Sequence, residues 1–144
     1  MSTSPNSSTI LDIAEAVFRH QFDHNKSFLQ DRASAYCIEI FGKNPDNQFL
    51  ERFKDSKSPV KKRSMCSIKN MAVIDKKTKK LGIIFRIKRI SLNSPEIAKA
   101  EGEYYEDGLS ASENTYYLRK KGDEWIIEKD ILNTIASLLK NIFI

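Results

Sequence analysis

Leu81-Gly82-Ile83-Ile84-Phe85-Arg86-Ile87-Lys88-Arg89-Ile90-Ser91-Leu92 is the longest strand-like run in the chain. Leu81, Ile83, Phe85 and Ile87 share one face under a two-residue period. The phase then flips, because Ile90 and Leu92 fall on the opposite parity. A period-2 pattern changes phase where a bulge or a sharp coil intervenes. The reading is therefore a long strand bent near Lys88 and Arg89.

Working toward the C-terminus, Asn93-Ser94-Pro95-Glu96 is a turn and residues 97–105 form the next strand. One of its faces offers Ala98, Ala100, Gly102 and Tyr104, and the other Lys99, Glu101 and Glu103. Small side chains at successive inward positions leave room for a helix or a ligand. Residues 107–113 read as a loop, 115–120 as a strand, and Lys121-Gly122-Asp123-Glu124 as a tight turn. The last strand, 125–131, sets Trp125, Ile127 and Ile131 on one face by alternation and Asp130 on the other. Ile135, Leu138, Leu139 and Ile142 return to helical spacing in a tail that should pack within the protein or between subunits.

Toward the N-terminus, residues 76–80 are a polar hairpin loop and 71–75 a short apolar strand, while 55–63 cross the surface around Pro59. Phe49, Leu50 and Phe53 make a short helix after the Asn44-Pro45-Asp46 turn. Tyr36, Ile38 and Ile40 alternate in a short strand ending at Gly42, after a polar connection at 25–32. Ile10, Ala14, Val17, Phe18 and Phe22 recur at helical spacing over about four turns. Thr9 and Asp12 offer a loose capping pattern at its start. The division expected is a flexible tail at 1–9 and a single α+β domain at 10–144.

Composition fits one globular domain. The chain has 144 residues, 40% hydrophobic and 30% charged, with a net charge of +5. No apolar run reaches the ~18 residues of a membrane span. The polar, Ser-rich start lacks the pattern of a secretory signal, so a cytoplasmic protein is expected. Cys37 and Cys66 belong to no C-x-x-C or Cys/His cluster, which argues against structural zinc. They read as two half-buried thiols, and the sequence leaves open whether they bridge.

The closing hairpin runs Tyr116-Tyr117-Leu118-Arg119-Lys120-Lys121-Gly122-Asp123-Glu124-Trp125-Ile126-Ile127. A strand, a Gly-containing turn, then Trp with β-branched residues resembles the last hairpin of the nuclear-transport-factor-2-like superfamily, and the order of elements over residues 11–131 is similar to it. The resemblance implies a cone-shaped, cystatin-like roll: N-terminal helices packed on a strongly curved antiparallel sheet. It also implies a pocket in the cone and a homodimer through the sheet face. That superfamily includes isomerases, polyketide cyclases, dehydratases and members without known activity, so fold alone fixes little about function.

Candidate chemistry is sparse. His20 and His24 stand four apart on the first helix, off the face defined by Phe18 and Phe22, and read as rim residues and not as metal ligands. An acid/base site would draw on Tyr104, Tyr36, Tyr116 or Asp130, of which Tyr104 shares the small-residue face. A ligand in the cone would meet Tyr36, Ala100, Gly102, Tyr104, Tyr116 and Trp125. Glu101 and Glu103 read as a solvated face. Two basic groups, 54–63 and 76–80, with Arg86, Lys88 and Arg89 could track phosphates, but acids and bases are mixed and no nucleic-acid motif is present.

The function expected is a non-catalytic module that binds a small apolar molecule, a protein partner or both, with no cofactor, no metal and no membrane. The alternatives are a cofactor-free lyase or isomerase of the polyketide cyclase or ketosteroid isomerase type, and weak nucleic-acid binding.

Overall fold

The structure is a computed structural model, and it describes residues 7–24, 33–107 and 110–135. The connection expected at 25–32 and the tail from 136 onward lie outside the described residues, as does the side chain of His24, while Ile135, read as the first residue of the helix-spaced tail, ends the last strand. The long helix α1 spans Ser7–His24. Its buried stripe is Ile13, Ala14, Val17, Phe18 and Gln21; of the residues expected there, Ala14, Val17 and Phe18 are buried and Ile10 and Phe22 are half-buried. The helix begins two residues before the expected end of the N-terminal tail.

Strand β1 (Tyr36–Ile40) leads to helix α2 (Asn47–Glu51). Asp46 caps α2: its backbone is extended, and its side chain accepts the Phe49 N–H at 2.8 Å. Strand β2 (Val60–Lys62) follows, then a single 3-10 turn at Arg63–Met65. Strands β3 (Cys66–Lys69) and β4 (Ala72–Asp75) form a hairpin of their own. Both residues of its two-residue turn, Asn70 and Met71, have positive φ, as a primed hairpin turn requires. Long strands β5 (Ile83–Ser94), β6 (Ile97–Asp107), β7 (Ser110–Lys121) and β8 (Glu124–Ile135) complete the chain. The expected loop at 107–113 is mostly strand, since β6 runs to Asp107 and β7 starts at Ser110.

Six strands make one curved sheet in the order β2-β1-β5-β6-β7-β8. The pairs from β5 to β8 are antiparallel, whereas β1 runs parallel to both β2 and β5. The fold is α+β, with two helices on the concave face of a mostly antiparallel sheet. The expected bend in β5 is present as a register shift between Ile87 and Arg89. It returns Ile90 and Leu92 to the core side, where both pack against the main cluster.

The β3–β4 hairpin forms a third layer on the convex face. It encloses a small second core of Ala35, Cys37, Cys66, Val73 and Ile84, with Tyr105 packed against it. Strand β1 is therefore covered on both faces, and Tyr36, Cys37 and Ile38 are all buried. Cys37 and Cys66 are joined by a disulfide, with Cα atoms 6.2 Å apart. This corrects the reading of two thiols: β3 folds back over β1 and brings the sulfurs together.

Candidate functional site

The concave face is where the sequence placed its ligand residues. Ala98, Ala100 and Gly102 of β6 do face inward, and all are buried. The space they leave is taken by protein. A Cβ added at Gly102 would sit 2.9 Å from the Arg86 carbonyl oxygen, 3.1 Å from Gln21 Nε2 and 3.2 Å from Tyr116 Cε2. Gln21 reaches that strand and donates to the Glu103 carbonyl at 3.3 Å. Small residues here admit helix α1.

Aromatic rings fill the neighbouring interior. Phe22 stands 4.7 Å from Tyr36 and 5.0 Å from Phe85, ring centre to ring centre. Tyr36 meets Phe85 edge-on at 5.3 Å. Tyr36 is thus a core residue, 2% exposed. Tyr104 packs beside Phe85, and its hydroxyl lies 3.4 Å from Ser110 Oγ. Trp125 sits at the other end of the face, on a surface cleft of about 410 Å³ that it shares with Asp12, Glu15, Ala16, Arg19, Asp123 and Glu124. The six ligand candidates are therefore not gathered round one space.

Two of the candidates, Tyr116 and Asp130, do meet. They are direct partners across β7 and β8, so both point to the concave face. Asp130 was expected to point outward by alternation from Trp125 and Ile127. A bulge overturns that: Tyr117 pairs Lys129 but Leu118 pairs Ile127, leaving Glu128 as the extra residue.

Asp130 Oδ2 lies 2.8 Å from His20 Nε2, at the rim between α1 and β8. Asn114 Nδ2 donates to Asp130 Oδ1 at 2.6 Å, and Ser112 Oγ donates to Asn114 Oδ1 at 2.8 Å. The carboxylate is thus held on both oxygens, and the amide that holds it is itself oriented. His20 meets the Tyr116 ring edge-on, with centroids 5.5 Å apart. Burial, aided by the Asp130 charge, pushes the Tyr116 phenol well above its ordinary range, against the opposing effect of a hydrogen bond with Gln21. Tyr116 therefore stays protonated at neutral pH and can act only as a neutral hydroxyl.

His20 keeps 15% of its side chain exposed and Asp130 31%, so the pair is reachable from solvent. A histidine held by an oriented carboxylate can accept or deliver a proton. Sequence reading placed His20 at a rim but missed its partner, which lies 110 residues away. Only the bulge at Glu128 could have signalled the pairing. Among the described residues, no group of three or more His, Cys, Asp or Glu side chains is arranged to hold a metal.

On the convex face, Glu101 and Glu103 are ion-paired. Arg89 meets Glu101 at 3.2 Å, Arg86 meets Glu103 at 3.2 Å and Glu39 at 3.3 Å, and Lys88 lies 3.7 Å from Glu113. The three cations of β5 are thereby balanced and do not form a basic stripe. No family model, no curated protein and no solved structure matches the chain. No helix among the described residues is long and apolar enough to cross a membrane.

Proposed function

We propose that this chain is a non-catalytic binding module, nuclear-transport-factor-2-like in its order of elements, that works through its outer surfaces. One observation carries the reading: the concave interior is occupied by α1 and by the rings of Phe18, Phe22, Tyr36 and Phe85. Protein, rather than a small apolar ligand, fills the cone at Gly102. The hairpin covers the convex face over β1 and β5, while Tyr117, Ile126 and Ile131 stand exposed on β7 and β8. That outer sheet face suits a protein partner, and a second copy of the chain is the partner proposed.

The test is mass measurement in solution by light scattering and native mass spectrometry. A dimer that I126K/I131K converts to a folded monomer supports the reading. A monomer carrying a co-purified apolar molecule would return the ligand to the interior and sink it. As for location, the buried disulfide weighs against a reducing cytosol and favours an oxidising compartment.

A second reading rests on the His20–Asp130 pair beside Tyr116: proton transfer on a small polar substrate at the α1–β8 rim. Turnover of an enolisable carbonyl compound that H20Q and D130N both abolish would support it. Turnover untouched by either change would end it.

A further inference from the structure

Charge is distributed very unevenly along this chain. Residues 54–80 hold ten Lys and Arg against two Asp, a net of +8, while the remaining 117 residues sum to −3. The C-terminal end of this basic segment is a built loop. Asp75 is fully buried and accepts from Lys61 Nζ at 3.1 Å, Ser34 Oγ at 2.9 Å, the Lys77 N–H at 3.1 Å and Thr78 Oγ1 at 3.0 Å. Backbone bonds close the same loop, from Asp75 N to the Lys80 carbonyl and from Lys79 N to the Asp75 carbonyl, each 2.8 Å.

This organisation engages the Asp75 carboxylate internally, while Lys76, Lys77, Lys79 and Lys80 are all exposed. Among the described residues, none of these four ammonium groups has a carboxylate within ion-pair distance, unlike the cations of β5. Apolar side chains flank them. Leu81 follows Lys80 directly and is 47% exposed, and Met65, whose carbonyl accepts the Lys76 N–H at 2.9 Å, is 38% exposed.

We propose that this loop is a docking surface for an anionic lipid bilayer. Lysine ammonium groups bind headgroup phosphates and carboxylates by charge, and Leu81 and Met65 enter the boundary between headgroups and acyl chains. Two features favour lipid over nucleic acid. Residues 54–82 contain no Phe, Tyr or Trp on which a base could stack. The only arginine among them, Arg63, is turned inward, with Nη1 on the Cys66 carbonyl at 2.7 Å. The expectation of no membrane partner rested on the lack of a spanning segment, which does not bear on surface attachment.

The experiment is flotation of the full chain with phosphatidylcholine vesicles, with and without phosphatidylserine. Binding is expected only to the anionic vesicles, and it should weaken as salt rises. K76Q/K77Q/K79Q/K80Q should reduce partitioning by roughly two to three orders of magnitude, taking each lysine as a few-fold. M65S/L81S, which leaves the charge unchanged, should reduce it by roughly tenfold. Removing equal charge elsewhere, in K99Q/K120Q/K121Q/K129Q, should leave binding near the parent value. No partitioning of the parent chain into phosphatidylserine vesicles at low salt overturns the proposal, as does binding that survives the loop substitutions. So does tighter binding to a single-stranded oligonucleotide at matched ionic strength.

Discussion

Asp75 and Gly102 show how single residues are fixed by what surrounds them. Burial alone would raise the Asp75 carboxyl, yet hydrogen bonds from Lys61, Ser34, the Lys77 N–H and Thr78 outweigh it and hold the group at about 2, against 3.8 for a free aspartate. A depressed folded value means that Asp75 stabilises the fold above the unfolded value. That contribution falls away as pH drops from about 4 through about 2, and amounts to roughly 2 kcal/mol. Urea midpoints measured from pH 6 to pH 2 should show this slope. Asp75→Asn should remove that share of it and lower stability at neutral pH by about 3 kcal/mol, because Lys61 loses its partner. Gly102→Ala should lower stability by about 1–3 kcal/mol, since the nearest obstacle to a Cβ is the backbone carbonyl of Arg86. The small size of Gly102 was legible in the sequence. Its neighbour was not, because Gln21 is polar and reads as a surface residue, although it is 1% exposed.

At the scale of elements, the β3–β4 hairpin is a strap over the convex face. The disulfide pins one end, and the Tyr105 hydroxyl donates to the Met71 carbonyl at 2.7 Å at the other. The cysteines are 29 residues apart, and closing a loop of that length stabilises by roughly 3–4 kcal/mol on the chain-entropy account. C37A/C66A should lose most of that in chemical denaturation, and amide exchange in β3 and β4 should accelerate before the rest of the sheet responds. Exchange rising uniformly would show that the hairpin is no separate unit. The clasp between α1 and β8 is a weaker contact. A double-mutant cycle on His20 and Asp130, both to Ala, should give a coupling of about 0.5–1 kcal/mol. Elements with clean periodicity were legible: α1, the bent β5, the small-residue face of β6 and the Gly122 turn. The first half of β7, Ser110-Ala111-Ser112-Glu113-Asn114, was hidden by turn-forming residues that pair with β6 nonetheless. The parallel placement of β1 was hidden as well, since a five-residue strand carries no mark of its direction.

For the whole molecule, the layers divide the work. Helices fill the concave side, the strap covers the convex side over β1 and β5, and Tyr117, Ile126 and Ile131 stand exposed on β7 and β8. His20 and Asp130, 110 positions apart, become neighbours through the bulge at Glu128, the first of two in β8, which is why Asp130 was read on the wrong face. Those bulges have a further consequence. Among the described residues, β8 is the last strand of the sheet, and its 12 residues are long enough to recruit extended segments from other molecules. Extra residues at Glu128 and between Leu132 and Thr134 break its repeat of donors and acceptors, and Lys129 adds a charge between them. The irregularity that brings Asp130 to His20 thereby also guards the protein against growing into fibrils.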